Sequence, residues 1–174
     1  MVGDFMDDGD LSYQSKRRYS IPFNLSGFLL SSWSVRAFNK LYYGKVKKGV
    51  SKQKVDIDSF FYPLDTIDHW NRMYGKHGFT QYQFILPKEY SYKGMQEILS
   101  IIADSGKGSF LAILKLYGKA NENYLSFPME GYSLTLDFKI EKGLFGLLDK
   151  LDEIVIKYGG RIYLAKDVRV SRDV

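Results

Sequence analysis

The chain has 174 residues, 45% of them hydrophobic and 16% aromatic, enough to bury the core of one compact domain. Cysteine is absent, which excludes disulfide staples, thiolate metal sites and a cysteine nucleophile. The net charge of +5 is modest, and a solvated surface accounts for it as well as an anionic partner does.

No apolar run is long enough to span a bilayer, and Asp4, Asp7, Asp8 and Asp10 stand where a signal peptide would be positive. The expectation is a cytoplasmic protein, with association at a membrane surface left open. Residues 1–18 show neither helical nor strand periodicity and read as a mobile leader or linker, which leaves 19–174 as the folded domain. From Ile21 to Trp33 the chain is apolar, and Val35 to Tyr43 is spaced as a short amphipathic helix. Lys45 to Lys54 reads as a basic loop. Phe60 to Asp65 reads as extended, and Asp65 or Thr66 is placed to cap a short helix over His69–Arg72 that ends at Gly75.

The second half is more regular. Phe79 to Leu86 alternates as a strand, and Met95, Ile98, Leu99 and Ile102 repeat at helical spacing up to Gly106. Ser109 to Tyr117 is a second strand and Tyr132 to Ile140 a third. The stripe Leu144, Leu147, Leu148, Leu151, Ile154, Val155 and Tyr158 predicts a long helix that Gly159 and Gly160 stop ahead of a last strand, Arg161 to Ala165. Strand, helix, strand, strand, helix, strand is the ferredoxin-like pattern. The expected fold class is therefore α+β, an antiparallel βαββαβ sheet with both helices on one face, preceded by a helical and extended segment.

Period-two alternation separates the two sides of that sheet. Tyr132, Leu134, Leu136 and Phe138 share one face and Ser133, Thr135, Asp137 and Lys139 the other, while Gln81 and Gln83 oppose Tyr82 and Phe84. Helices pack on apolar surface, so the amide and hydroxyl residues belong to the helix-free face. Lys115 follows Leu111 and Ile113 at strand spacing, and a cation on that stripe suits an anionic ligand group. Such a face is also what an ordinary wet sheet presents, so the pattern alone locates a platform and no function. His69 and His77 have no third ligand-like neighbour, and no metal site is expected.

At Tyr62-Pro63-Leu64-Asp65, His69 through Gly75, Gln81-Tyr82-Gln83-Phe84, Leu125-Ser126-Phe127-Pro128 and Gly159 through Asp167, the chain resembles a specific family. It resembles the cap, or substrate-binding, domain of the decaprenylphosphoryl-ribose oxidases, within the vanillyl-alcohol oxidase group of FAD-linked oxidases. The resemblance runs from about Ile21 to Arg169. It implies a fragment of a flavoenzyme whose FAD-binding domain and C-terminal return segment lie outside these 174 residues. FAD is then bound mainly by that missing domain of the same chain. Without cysteine a covalent link would need histidine or tyrosine, so non-covalent FAD is expected.

By position, the resemblance implies that Gln81, Gln83, Lys115 and Lys166 are pocket residues, with Phe61, Tyr117, Ser133, Thr135 and Tyr163 around them. The implied reaction is oxidation of a sugar or polyol hydroxyl by hydride transfer to flavin, on a sugar-like or lipid-linked sugar substrate. Lys166 would stabilise charge on the reduced ring beside Tyr163, Lys115 would bind a substrate oxygen or phosphate, and Gln81 and Gln83 would orient hydroxyls. The general base is either a lysine or a group of the missing domain. The best-known members of the family carry cysteine where this chain has Thr135, asparagine at Ser133 and tyrosine at Phe61, so substrate contacts differ and thiol-directed inhibition should not transfer. The fragment alone is expected to be inactive.

A ferredoxin-like sheet on a basic chain is also the form of a single-stranded RNA-binding module. That reading is disfavoured because the third strand turns Ser133, Thr135, Asp137 and Lys139 outward and keeps its aromatics inward. A catalytically silent domain that mediates protein association is the remaining alternative.

Overall fold

A computed structural model describes residues 19–25, 31–44, 52, 54–62, 67–109, 111–172 and 174. The leader assigned to residues 1–18 and the capping residues Asp65 and Thr66 lie outside them. The chain divides into two compact units, one of residues 1–22 with 52–70 and one of residues 23–51 with 71–174.

In the smaller unit β1 (Tyr19–Ser20) pairs in parallel with β2 (Ile67–Asp68), and Ser20 Oγ lies 3.1 Å from His69 Nδ1. Phe60 and Phe61 are helical rather than extended, for they close the short helix α2 (Ile57–Phe61). The amides of Phe60 and Tyr62 donate to the carbonyls of Asp56 and Asp58. Pro63 follows at once, and a helix cannot run into it. His69 takes a left-handed φ of 58°, so the turn expected over His69–Arg72 begins one residue later, as a 3-10 helix over Trp70–Tyr74.

The larger unit holds helix α1 (Ser32–Gly44) and the ferredoxin-like sheet. Strands β3 (Phe79–Pro87), β4 (Ala112–Tyr117), β5 (Gly131–Lys139) and β6 (Arg161–Ile162) lie in the order β4-β5-β3-β6, every pair antiparallel. Helices α3 (Ser91–Ser105) and α4 (Leu144–Lys157) pack on one face. The core there is Tyr82, Phe84, Leu86, Leu134, Leu136 and Phe138 from the sheet, set against Ile98, Ile102, Leu147, Leu151 and Val155 from the helices. Each such side chain taken out of water contributes about 1.5–3 kcal/mol. α3 stops at Gly106, whose φ of 70° only glycine adopts without strain.

Two expectations change. Leu99, counted in the helical repeat of α3, is half exposed rather than part of the core. The last strand is only two residues long, since the Lys166 amide donates to the Tyr163 carbonyl at 2.9 Å and curls the chain into a turn. That turn carries Lys166 back over the sheet instead of along its edge.

Close backbone packing sets one sharp constraint. A Cβ on Gly131 would sit 1.9 Å from the carbonyl oxygen of Leu86, so β5 can approach β3 here only as glycine. Gly131→Ala is expected to destabilise the domain by about 1–3 kcal/mol, the usual cost of overpacking. A circular-dichroism melt should show a fall of several degrees.

Candidate functional site

The helix-free face carries polar side chains, but they are not wet. Gln83, Ser133, Thr135 and Asp137 are all buried, Ser133 and Asp137 completely. The register explains their grouping. Gln83 lies opposite Thr135, Gln81 opposite Asp137 and Lys115 opposite Ser133, so alternate residues of three strands form one patch. Gln83 Nε2 donates to Ser133 Oγ at 3.2 Å and reaches the Tyr117 hydroxyl at 3.5 Å.

An aromatic bridge spans this patch. Phe127 is buried between Tyr117, whose ring meets it edge-on at 6.0 Å, and Tyr163 at 4.7 Å. Arg161 holds the segment in place by donating to the carbonyls of Ser126 and Pro128 at 2.9 and 3.3 Å. Tyr163 is fixed in turn by its amide, which donates to the Gln83 carbonyl at 2.8 Å.

Gln83, Lys115, Tyr117, Tyr163 and Lys166 line an open cavity of about 470 Å³ together with Leu125, Phe127 and Pro128. That size suits a small ligand. Five of the nine residues expected at the site thus meet around one space. Ser133 and Thr135 lie in the floor, and Gln81 is displaced one row towards Asp137. Phe61 belongs to the smaller unit, where its ring contacts Phe60 edge-on at 4.9 Å. Lys115 and Lys166 are both exposed, so their ammonium groups retain water on this chain.

Among the described residues the buried Thr135 Oγ1 in the floor has no hydrogen-bond partner, and the buried Asp137 carboxylate has only the Gln81 and Tyr74 side chains beside it. An unpaired buried atom costs about 1–3 kcal/mol and persists where a ligand or water completes the set. Burial pushes the Asp137 carboxyl above its usual range, against the opposing effects of neighbouring Gln81, the Lys166 charge and Tyr74. Burial and the Asp137 charge likewise raise the Tyr74 phenol, which stays protonated. A carboxyl raised in the folded state favours folding at low pH, and that contribution is lost as pH rises through the folded pKa. Asp137→Asn is therefore expected to melt higher than the parent at pH 7 and to lose the advantage as pH falls towards 4. A melting series across that range checks it.

Phe127, Asp137 and Arg161 were not read as site residues from the sequence. Phe127 stands within the Leu125–Pro128 run that carries the resemblance, and Asp137 alternates in phase with Ser133 and Thr135, so two of the three left a signal. Arg161 acts through backbone carbonyls and left none.

The residues just after Lys166 tie its turn to α4. Asp167 Oδ2 accepts hydrogen bonds from the amides of Arg169 and Val170 at 3.0 and 2.7 Å. Arg169 Nη1 then lies 2.7 Å from Asp152 Oδ2 and from Asp149 Oδ1 on α4. The other Asp152 oxygen accepts the Tyr82 hydroxyl at 2.8 Å. Burial and the Asp152 charge hold that phenol protonated.

The chain is 36% identical over 167 residues to the decaprenylphosphoryl-beta-D-ribose oxidase of Mycolicibacterium smegmatis. It resembles one part of an oxidase. The similarity takes in 94% of this chain but 35% of that protein, so the chain spans about a third of its relative's length. An uncharacterized protein in the mprA 5'region of Streptomyces coelicolor is 39% identical over 81 residues, covering 46% of this chain and 22% of that one. No family model matches. The similarity to the oxidase accords with the family resemblance carried by the five sequence blocks.

Proposed function

We propose that this chain is the substrate-side cap of an FAD-dependent oxidoreductase that oxidises a sugar or polyol hydroxyl, the rest of the enzyme being supplied by a longer polypeptide. One observation carries the reading. Gln83, Lys115, Tyr117, Tyr163 and Lys166, far apart in sequence, line a single cavity in a chain 36% identical to an oxidase of a lipid-phosphoryl ribose.

The donor set fits such a ligand. The amide nitrogen of Gln83 is spent on Ser133 and Tyr117, so its carbonyl oxygen is what it offers a sugar hydroxyl. Thr135 Oγ1 lies unpaired beneath it. Lys115 stands at the open edge strand, placed for a phosphate or ring oxygen, as a flexible point charge. Tyr163 and Lys166 are the residues that would meet a flavin ring, whose diphosphate and adenosine need partners beyond this chain. When bound, FAD supplies the acceptor for the two electrons that the alcohol carbon loses. Lys166 holds positive charge where negative charge develops, and the bridge of Tyr117, Phe127 and Tyr163 limits water on one side.

The test is the visible spectrum of the complete polypeptide, purified natively and then acid-precipitated. Oxidised-flavin bands released into the supernatant are expected, followed by their bleaching with a ribose-bearing lipid phosphate. A colourless protein from flavin-replete cells rejects the proposal.

A further inference from the structure

The positive charge of this chain is concentrated in one stretch. Ten of its 25 Lys and Arg residues lie between Leu11 and Val55, and none of its 20 Asp and Glu residues does, so the remainder carries a net charge of −5. Helix α1 lies inside that stretch. At 100° per residue, Trp33, Ala37, Phe38, Leu41 and Tyr42 fall on one side of it and Arg36, Asn39 and Lys40 on the other. The apolar stripes of α3 and α4 supply the core, whereas Trp33, Leu41 and Tyr42 are 75%, 73% and 63% exposed.

We propose that α1 is an interfacial helix that lays Trp33, Leu41 and Tyr42 into the headgroup region of an anionic lipid bilayer, with Arg36 and Lys40 at the phosphate level. Among the described residues no helix is long and apolar enough to cross a membrane, so the attachment is in the plane of the surface. Tryptophan and tyrosine suit that depth because one end of each ring is apolar and the other polar. Arg and Lys extend their stems along the apolar side and keep their charges at the headgroups. A single-stranded nucleic acid fits less well. Its bases would need aromatic rings to stack on, whereas the middle of the exposed apolar side is Leu41, an aliphatic side chain 73% exposed. The rest of a longer polypeptide is the other occupant to test. Within the unit that holds α1, the acid-free run from Phe23 to Ser51 with Arg36, Lys40, Lys45, Lys47 and Lys48 matches a lipid surface better than the charge-depleted centre of a protein interface. The proposal does not depend on the oxidoreductase reading, although a lipid-linked substrate would give the surface a use.

The experiment is co-sedimentation of the complete polypeptide with vesicles of phosphatidylcholine containing about one third phosphatidylglycerol, against pure phosphatidylcholine, at low and high salt. Binding to the anionic vesicles is expected, falling sharply in salt and on neutral lipid. Each cation near such a surface is worth about fivefold in affinity, so reversing Arg36 and Lys40 together (Arg36→Glu, Lys40→Glu) should weaken binding by well over tenfold. Trp33→Ser with Leu41→Ser should also weaken it at least tenfold with the melting temperature unchanged, since both side chains are exposed. Absence of sedimentation, equal binding to both vesicle types, or parental binding by both double variants overturns the proposal. So does salt-sensitive binding of single-stranded RNA that replaces vesicle binding.

Discussion

Arg169→Ala should unfold the sheet domain at a temperature lower by on the order of 10 °C. Arg169 Nη1 is shared between Asp152 and Asp149 at 2.7 Å each, but the two contacts are unequal in energy. The Asp149 side chain is 63% exposed and remains solvated without its partner, so that half of the contact is worth about 0–1 kcal/mol. Asp152 is 3% exposed in the middle of the apolar stripe of α4, and loss of the guanidinium leaves its charge buried with only the Tyr82 hydroxyl. Breaking a buried pair from one side costs about 3–5 kcal/mol, and each kcal/mol is worth about 2–4 °C in a domain of this size. Asp149→Ala should therefore be nearly silent in the same melt. A double substitution, Arg169→Met with Asp152→Leu, should recover most of the loss, because it removes both charges.

That anchor also explains why the fold was more legible than the site. The core stripes of β3, β5, α3 and α4 obey periods of two and 3.6, and hydrophobic burial enforces such periods locally. Register between strands followed once the faces were known, which is why Gln83, Ser133 and Thr135 fell together as the alternation implied. Burial of those polar residues did not follow from alternation, because it comes from Phe127 and its neighbours, held by Arg161 through backbone carbonyls that no side-chain pattern encodes. The turn after Ile162 and the Arg169–Asp152 pair are likewise long-range. Asp152 reads in sequence as an ordinary charge on a helix, and only its contacts with Tyr82 and Arg169 show it to be buried. Phe60 and Phe61 were misread because a run of aromatics suits a strand locally, whereas the backbone bonds from Asp56 and Asp58 close a helical turn before Pro63.

Under the proposed function, Lys166→Ala in the complete polypeptide should lower kcat by about 100- to 1,000-fold, the usual loss when one preorganised donor to developing charge is removed. The size of that effect is informative in itself. Lys166 is exposed on this chain, and a unit charge 4 Å away in water is worth only about 1 kcal/mol, or roughly fivefold. Reaching a hundredfold requires that the flavin domain close over the cavity and expel water, which lowers the effective dielectric around the ammonium several times. A fivefold loss would mean that the face stays wet in the assembled enzyme and that Lys166 is a binding residue. An unchanged kcat would remove it from the mechanism. Lys115→Ala provides the contrast: a residue that holds substrate equally in ground and transition states should raise KM and leave kcat nearly intact. If both variants moved KM alone, the two lysines would form one anion-binding pair, and the group that stabilises the reduced flavin would have to come from outside this chain.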